Sequence, residues 1–333
     1  MNQRDRFLRV MNFEMPDDRL PMVEWAGWWD ETHYRWRKEG LPAHLRGEDL
    51  VDYFGLDELS CIKAYGVSGR CPKPAYYGGP VISGEASYDD IKPYILNDAL
   101  IEEAKNQALA LRAQHERGEI AVRLWLDGFF WFPRSLFGIT DHFFAFYDCP
   151  ELMHRINNDL AEFDLRVMEE IFPVLRPDMV GFAEDMSYNH GSMISRPIFR
   201  EFIAAYYDKT IPYIKSRGIK VMVDSDGDIT PMVPWLLEAG VDGVYPLERQ
   251  AGVDVALLRS KYPGLLILGA YDKMVMPRGG EAMRNEFERL LPVMRSGGFI
   301  PSVDHQTPPE VPLENYRSYL NLYNEYCTKA VKK

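Results

Sequence analysis

Three aspartates at alternate positions, Asp224, Asp226 and Asp228, follow an apolar segment of the chain. Side chains alternate between the faces of a strand, so Asp224 and Asp226 point the same way as the strand ends, and Gly227 permits a sharp turn there. Two adjacent carboxylates repel, and one of them is expected to bind a cation or to have a raised pKa. Asp228 stands where the N-cap of the next helix should be, and we interpret it as a capping residue.

Further carboxylates and one imidazole also stand directly after apolar segments. Separate carboxylates repel one another until a cation neutralises them, and oxygen and imidazole donors suit a divalent ion. By donor type, Zn, Mn, Fe and Mg are all compatible with such a site. The candidate donors at predicted strand ends are Glu184, Asp185, Asp224, Asp226, Glu248, Asp272, Asp304 and His305.

The same residues suggest two alternatives to a metal site of this kind. A network of carboxylates that share protons needs no metal, and it stays open at this stage. A calcium loop of the EF-hand type is excluded, because Ile229 replaces the required glycine and Trp235 replaces the bidentate glutamate.

The elements that must position these residues follow a repeating order. Short apolar runs recur, each followed by a segment with helical spacing, and this alternation predicts parallel strands joined by helices. No GxGxxG motif follows the first run, which argues against a dinucleotide-binding domain. The predicted strands are residues 20–26, 59–65, 120–126, 179–183, 219–223, 243–247, 265–270 and 298–303.

Eight such units predict an α/β fold of the (β/α)8 TIM-barrel type. An N-terminal extension precedes the barrel, and a Gly/Pro/Tyr-rich excursion around residues 66–98 decorates it, with a hairpin expected near residues 76–84. No repeat or linker divides the chain, so residues 1–333 are predicted to form one domain. Functional groups of this fold lie at the carboxyl ends of the strands, where the acids stand.

Composition limits the classes of partner. The 333 residues carry a net charge of −12, which argues against binding to nucleic acid or to anionic membrane surfaces. The N-terminus has no apolar signal core, and no apolar run approaches the length of about 18 residues that crosses a membrane. We therefore expect a cytoplasmic protein with a small-molecule substrate. The pattern says nothing about oligomeric state.

Aromatic residues near the strand ends form the second group of candidates. Such side chains often only pack loops together, but at a barrel mouth they can form an apolar wall for a ring-shaped or methylated substrate. The predicted substrate-binding residues are Trp25, Trp28, Trp29, Phe130, Trp131 and Tyr245.

Several motifs make the chain resemble the uroporphyrinogen decarboxylase superfamily, which includes the cobalamin-dependent methyltransferases. The resemblance covers most of the chain and implies a (β/α)8 barrel. Its motifs are residues 18–21, 52–57, 194–202, 224–228 and 297–315.

The resemblance also bears on the metal site. In the methyltransferase branch, a His-x-Cys-Gly segment and a later Cys bind zinc, and the matching positions here look like Asp224, Asp226 and His305. The thiolates are therefore absent. The metal ligands that the resemblance implies are Asp224, Asp226 and His305, with Glu184 or Asp185, and Glu248, expected to complete the coordination. Two carboxylates and an imidazole form a harder site, which suits polarisation of an oxygen-bound methyl group better than activation of a thiol.

The resemblance thus implies a metal-dependent methyltransferase of a corrinoid system, with zinc as the expected ion and cobalamin carried by a separate corrinoid protein. Its substrate would be a small methylated, for example methoxyaromatic, compound. Candidates for proton transfer to the leaving group are His190, Tyr188 and Asp185, although the first two can instead simply fix their loop.

Three other functions compete with the methyltransferase. Tetrapyrrole decarboxylation is disfavoured, because residues 23–29 lack the arginines that bind such substrates and an acidic mouth repels them. A metal-dependent lyase, decarboxylase or hydrolase with a non-tetrapyrrole substrate stays open, in which the cation activates water or stabilises an enolate. So does a non-catalytic binding barrel, which predicts no bound metal.

Overall fold

A computed structural model of the chain describes residues 1–332, and at its centre is a sheet of seven parallel strands. A two-stranded antiparallel hairpin, β4–β5, follows β3. The strands are β1 Leu59–Ala64, β2 Ala121–Asp127, β3 Met179–Ala183, β4 Ser187–Tyr188, β5 Gly191–Ser192, β6 Lys220–Asp224, β7 Gly243–Tyr245, β8 Leu266–Tyr271 and β9 Phe299–Val303.

Helices cover the outside of the sheet, and residues between the two layers form the apolar core. None of the helices in residues 1–332 is long and apolar enough to cross a membrane. The helices are α1 Gln3–Met11, α2 Asp30–Lys38, α3 Glu48–Tyr53, α4 Glu85–Ile91, α5 Asp98–Glu116, α6 Trp131–Phe137, α7 Ile139–Asp148, α8 Pro150–Ile171, α9 Arg196–Phe199, α10 Ala205–Ser216, α11 Val233–Glu238, α12 Val255–Lys261, α13 Gly280–Met294 and α14 Leu313–Val331.

The sheet order is β1-β2-β3-β6-β7-β8-β9, so strands consecutive in the sheet are joined by helical crossovers. The strands read as continuous apolar runs in the sequence because both faces of a parallel sheet are buried. In β3 and β8, for example, every residue is buried. Seven of the eight predicted strands are therefore confirmed, with boundaries within about two residues of the prediction.

The sheet is curled like a barrel. The Trp125 ring of β2 lies 6.4 Å from the Tyr245 ring of β7, although β3 and β6 separate these strands in the sheet. The Trp25 ring is also 5.2 Å from Tyr245. Side chains from opposite parts of the sheet thus meet at its centre, as in a TIM barrel.

The strand predicted at residues 20–26 is wrong. This segment lies between β9 and β1 but joins neither ladder, and only a single bridge, Trp28 to Thr307, follows it. Pro21 has no N–H to donate. The next two N–H groups bind side chains instead: that of Met22 donates to Asp57 Oδ2 (2.9 Å), and that of Val23 to the Tyr323 hydroxyl (3.1 Å). The donors that a ladder requires are therefore already used.

The hairpin predicted at residues 76–84 is also wrong, since none of the described residues from 68 to 84 is in a strand. Pro80 lacks a donor, and the N–H groups of Val81 and Ile82 both bind the Leu136 carbonyl of α6 (2.7 and 3.1 Å). The excursion therefore packs on α6 instead of pairing with itself.

Salt bridges fix the N-terminal extension at the opposite end of the barrel from the strand carboxyl ends. Arg6 Nη1 donates to Asp57 Oδ1 (2.9 Å), Arg19 Nη1 donates to Asp57 Oδ2 (2.6 Å), and Arg6 Nη2 donates to Asp18 Oδ2 (2.6 Å). Two of the motifs that carry the family resemblance, residues 18–21 and 52–57, thus meet here. Their position at the amino end of β1 indicates a role in stability.

Candidate functional site

A cavity of about 290 Å³ opens at the carboxyl ends of the strands. Its size is near the lower end of ligand pockets, which span about 300–1,000 Å³, so it suits a small molecule. The lining residues are Trp25, Ala26, Lys63, Tyr65, Arg123, Trp125, Asp185, Asp224, Asp226, His305 and Gln306.

Four predicted site residues form one acidic side of this cavity. Asp224 ends β6, and its carbonyl accepts the Asp185 N–H (3.2 Å), which holds the loop after β3 against β6. Asp185 Oδ1 in turn accepts the Asp226 N–H (3.3 Å). Asp226 Oδ2 is 3.5 Å from His305 Nε2, beyond the end of β9. Convergence of these groups from three strand ends is what the barrel prediction implied.

The crowding of these carboxyls shifts their proton affinity. Burial, with the nearby Asp185 and Asp226, raises the pKa of Asp224 well above its usual range. Burial, with Asp185 and Glu248, raises the pKa of Asp226 to about 7. Burial and Lys273 lower the pKa of His305. The acidic side therefore retains protons near neutral pH.

The opposite side of the cavity is basic and aromatic, and most of it was not among the predicted site residues. In the β1–β2 register, Lys63 is paired with Trp125 and Cys61 with Arg123. Arg123 Nη2 donates to the Trp25 carbonyl (2.9 Å), and its guanidinium lies 4.9 Å from the Trp125 ring centre. An arginine inside an otherwise apolar strand was the signal that would have located this side.

Tyr245, predicted to bind substrate, lies below the cavity. It is fully buried, and its ring packs against Trp25. A Cβ atom at position 181 would lie 2.4 Å from the Tyr245 hydroxyl, so Gly181 provides the space for this ring. Tyr245 thus supports the cavity floor.

Glu184 and Glu248, predicted as metal ligands, are not brought to the cavity. Glu184 is fully buried and accepts the N–H groups of Phe129 (3.0 Å) and Phe130 (2.7 Å) and the Tyr207 hydroxyl (2.6 Å). Glu248 accepts from Lys273 Nζ (3.1 Å) and the Gly227 N–H (3.0 Å). Neither side chain lines the cavity, although Glu248 lies near enough to Asp226 to raise the pKa of that residue.

The other predicted aromatic residues lie in three places. Trp28 packs in a cluster with Trp36, Phe54 and Tyr316 and lines a second cavity, described below. Phe130 is fully buried against His142. Trp29 is largely exposed and Trp131 lies beside Arg134, and neither lines the cavity.

The predicted proton donors also separate. Asp185 lines the cavity, whereas Tyr188 and His190 lie on the β4–β5 hairpin with exposed side chains and do not line it. Their rings contact each other, with centroids 5.8 Å apart. Asp228 Oδ1 accepts the Thr230 N–H (3.0 Å), but the N-cap of the short 3-10 helix that follows is Ile229, so the N-cap predicted at Asp228 is wrong by one residue.

The donors fit part of a metal site. Two ligands of a tetrahedral ion, each about 2.0–2.1 Å from it, lie about 3.3–3.4 Å apart, close to the separation of Asp226 Oδ2 and His305 Nε2. Asp224 Oδ1 is a buried acceptor with no hydrogen-bond partner. However, among the side chains that the structure describes, no three of His, Cys, Asp or Glu are grouped closely enough to hold a metal. A pair of ligands is thus preformed, and a third is not.

A second cavity, of about 620 Å³, lies beside the first. It opens between residues 24–28 and β1, where the missing ladder leaves a gap in the barrel wall, and Cys61, Glu24 and Trp28 line it. The two cavities share Trp25, Ala26, Lys63 and Arg123 as lining residues.

A curled parallel sheet with a polar cavity at the carboxyl ends of its strands defines a protein of the TIM-barrel type with its site in the strand-end loops. The model of the uroporphyrinogen decarboxylase (URO-D) family matches residues 136–326, which is more than half of the chain. The chain therefore belongs to the uroporphyrinogen decarboxylase family, and the superfamily resemblance is confirmed. No curated protein sequence matches it.

One solved structure supports the fold, and a second is more weakly similar. A methyltransferase from Methanosarcina mazei is similar over 98% of this chain and 99% of its own, with a TM-score of 0.65 and 14% identity. A putative vitamin-B12 independent methionine synthase from Listeria monocytogenes covers 95% of this chain and 97% of its own, with a TM-score of 0.46 and 10% identity. At 14% identity, the similarity to the methyltransferase shows the fold alone. The TM-score of 0.46 for the methionine synthase is too low to support either the fold or the function.

Proposed function

We propose that this chain is a methyltransferase that works with a corrinoid protein and takes the methyl group from a small substrate bound in the strand-end cavity. The cobalamin would be carried by that separate protein. The observation that carries the proposal is the two-sided cavity, in which acidic groups face an aromatic wall. Family membership and the full-length fold similarity to a methyltransferase support the same assignment.

The acidic side would act on the atom that loses the methyl group. An oxygen or nitrogen leaves more readily when it is protonated, and the Asp226–His305 pair can hold a proton at the cavity surface. Asp185 lines the same side and would complete the hydrogen bonding of the leaving atom. The Trp25 and Trp125 rings would orient the substrate and exclude water.

Asp224, Asp226 and His305 are the residues that would hold a divalent ion, with zinc as the expected metal. Such an ion would supply Lewis-acid polarisation of the methyl-bearing atom. Glu184 and Glu248 are left out of this ligand set because their oxygens already accept other hydrogen bonds. A third ligand would have to move towards the Asp226–His305 pair.

A second candidate is a lyase or decarboxylase of the same family that acts on a small substrate by acid–base chemistry. The absence of three grouped metal donors among the described side chains, together with the raised pKa values of Asp224 and Asp226, favours it. It predicts turnover without a corrinoid acceptor.

Metal analysis and a methyl-transfer assay test both candidates. The protein, Asp226→Ala, His305→Ala and the exposed-histidine control His190→Ala are purified without chelator, and their metal content is determined. Each is then incubated with methoxyaromatic and N-methyl compounds plus reduced cobalamin. Methylcobalamin formed by the wild type and His190→Ala, but at least about 100-fold less by the other two, supports the methyltransferase.

Product formation from the same compounds without cobalamin would favour the lyase. Near-stoichiometric metal lost in Asp226→Ala and His305→Ala supports the metal site. Methyl transfer by metal-free protein would instead leave proton transfer as the mechanism. A wild-type protein that contains no metal and turns over none of the compounds would support a non-catalytic binding protein.

A further inference from the structure

Arg123 is a buried cation without a carboxylate partner. Its side chain is only 7% exposed, and it forms no ion pair with any residue of the described chain. Nη2 donates to the Trp25 carbonyl, whereas Nε and Nη1 have no partner at hydrogen-bond geometry, and the neutral groups of Cys61 and Tyr245 are polar neighbours of the guanidinium. By contrast, the buried Arg6 and the half-buried Arg19 both bind Asp57. Buried charges are usually paired with an opposite charge. For Arg123 the described chain provides no such anion, so a bound molecule would have to supply it.

The position of Arg123 indicates where that partner would come from. It lines both cavities, next to Lys63 in each. Across the first cavity, Asp224 also has an oxygen, Oδ1, that is buried and unpartnered. Arg123 and Asp224 line one cavity without forming an ion pair, and each has unused hydrogen-bonding capacity. A molecule with an anionic end and a methyl-bearing end would complement both.

We propose that the substrate carries a carboxylate that binds Arg123, with Lys63 beside it, while its methyl-bearing atom faces Asp224, Asp226 and His305. This inference rests on the proposed function and narrows its substrate class to small methylated carboxylic acids. An acidic cavity alone would repel such compounds, so the basic side determines both their acceptance and their orientation.

The surroundings of Arg123 prepare it for this role. The guanidinium lies 4.9 Å from the Trp125 ring centre and 5.8 Å from that of Trp25, and the Nη2 contact with the Trp25 carbonyl fixes one end. Little side-chain freedom is then lost on binding. A neutral amide of the same shape would leave the buried charge unpaired, so discrimination between acid and amide should be strong.

Binding of matched acids and amides tests the inference. The probes are 3-methoxybenzoate against 3-methoxybenzamide, and N,N-dimethylglycine against its amide, measured by calorimetry at pH 7.5. A charge-assisted hydrogen bond contributes about 1.5–3 kcal/mol, so the acid of at least one pair should bind about 10- to 100-fold more tightly than its amide. Arg123→Gln should abolish this preference, while Arg123→Lys should retain part of it.

The control is Arg112→Gln, which removes an exposed arginine of α5 and should leave the preference unchanged. Circular dichroism establishes that each variant is folded. Equal or absent binding of acid and amide in both pairs by the wild type overturns the inference, and this comparison needs no variant. A preference that survives in folded Arg123→Gln overturns it too.

The methyl-transfer assay separates this inference from the proposed function. Methyl transfer from the amides as fast as from the acids contradicts the inference and leaves the methyltransferase intact. An Arg123-dependent acid preference without any methyl transfer supports the carboxylate site and contradicts the methyltransferase.

Discussion

Glu184 and Asp224 are acidic residues at the ends of neighbouring strands, yet their surroundings differ. Both are buried, with 0% and 9% of their surface exposed. Glu184 accepts three hydrogen bonds from Phe129, Phe130 and Tyr207, whereas Asp224 Oδ1 accepts none and the residue lines a cavity. Burial and acidity at a strand end therefore do not distinguish a structural carboxyl from a functional one. A carboxyl oxygen without a hydrogen-bond donor, in a residue that lines a cavity, is the feature that distinguishes the functional carboxyl.

The local backbone explains this difference. Glu184 meets the N–H groups at the start of α6, which have no acceptor inside the helix. Asp224 instead faces the barrel axis beside other carboxyls, where the chain provides few donors. The first arrangement stabilises the fold, and the second has a cost that a bound ligand, proton or cation can offset.

The largest effect on stability is expected from Glu184→Ala. It leaves two N–H groups and a tyrosine hydroxyl unsatisfied and opens a void, so the free energy of unfolding should fall by about 3–5 kcal/mol. Urea unfolding followed by circular dichroism measures this change. Glu184→Gln, which keeps the side-chain volume, is the control and should lose less. A loss below about 1 kcal/mol in Glu184→Ala would mean that these contacts are not structural.

Glu24 is a third carboxyl for this comparison, because its raised pKa makes the free energy of unfolding depend on pH. Burial raises its pKa from the ordinary value of 4.5 to about 8, and the Tyr316 hydroxyl donates to it at 3.3 Å. The folded state therefore binds the extra proton, so its contribution to stability is complete below about pH 4.5 and is lost as the pH rises through 8. Glu24→Gln should weaken this decline, with a difference on the order of 3 kcal/mol between pH 5 and 8. Parallel stability curves of the two proteins would refute the assignment.

Asp224→Asn should affect stability little or raise it by up to about 1 kcal/mol, because it removes a buried carboxyl whose Oδ1 has no partner. Methyl transfer should nevertheless fall by at least about 100-fold. Unfolding and turnover measured on the same preparation separate the two effects. A destabilisation as large as that of Glu184→Ala would remove the distinction between the two carboxyls.

The smallest effects are expected at the β4–β5 hairpin. Tyr188 and His190 are exposed and do not line the cavity, so Tyr188→Phe and His190→Ala should each change the free energy of unfolding by less than about 0.5 kcal/mol. Their rates of methyl transfer should stay within about threefold of the wild type. A large loss of rate in either variant would mean that this hairpin closes over the bound substrate.

Much of the fold was predictable because both faces of a parallel strand are buried and each strand therefore forms an apolar run. The segment at residues 20–26 has the same apolar composition but is not a strand, since Pro21 and the side chains of Asp57 and Tyr323 remove its ladder donors. Those contacts join residues distant in sequence, and periodicity does not report them.

The site was predictable on one side only. Asp224, Asp226, Asp185 and His305 were found because carboxylates at strand ends are conspicuous. Lys63, Arg123 and Trp125 lie within strands, and which of their faces points to the barrel axis depends on register and curling. Glu184 was placed in the site by the same strand-end rule, because the sequence does not show that Phe129, Phe130 and Tyr207 bind it.

The central claim is that the two-sided cavity transfers a methyl group from a small substrate to a corrinoid. The most direct measurement is methyl transfer from isotopically labelled 3-methoxybenzoate and N,N-dimethylglycine to reduced cobalamin, by the wild type and by Asp224→Asn. Labelled methylcobalamin and an equal amount of demethylated product, formed by the wild type and nearly absent with folded Asp224→Asn, are predicted. No labelled methylcobalamin with the wild type, or equal amounts with both proteins, would contradict the account.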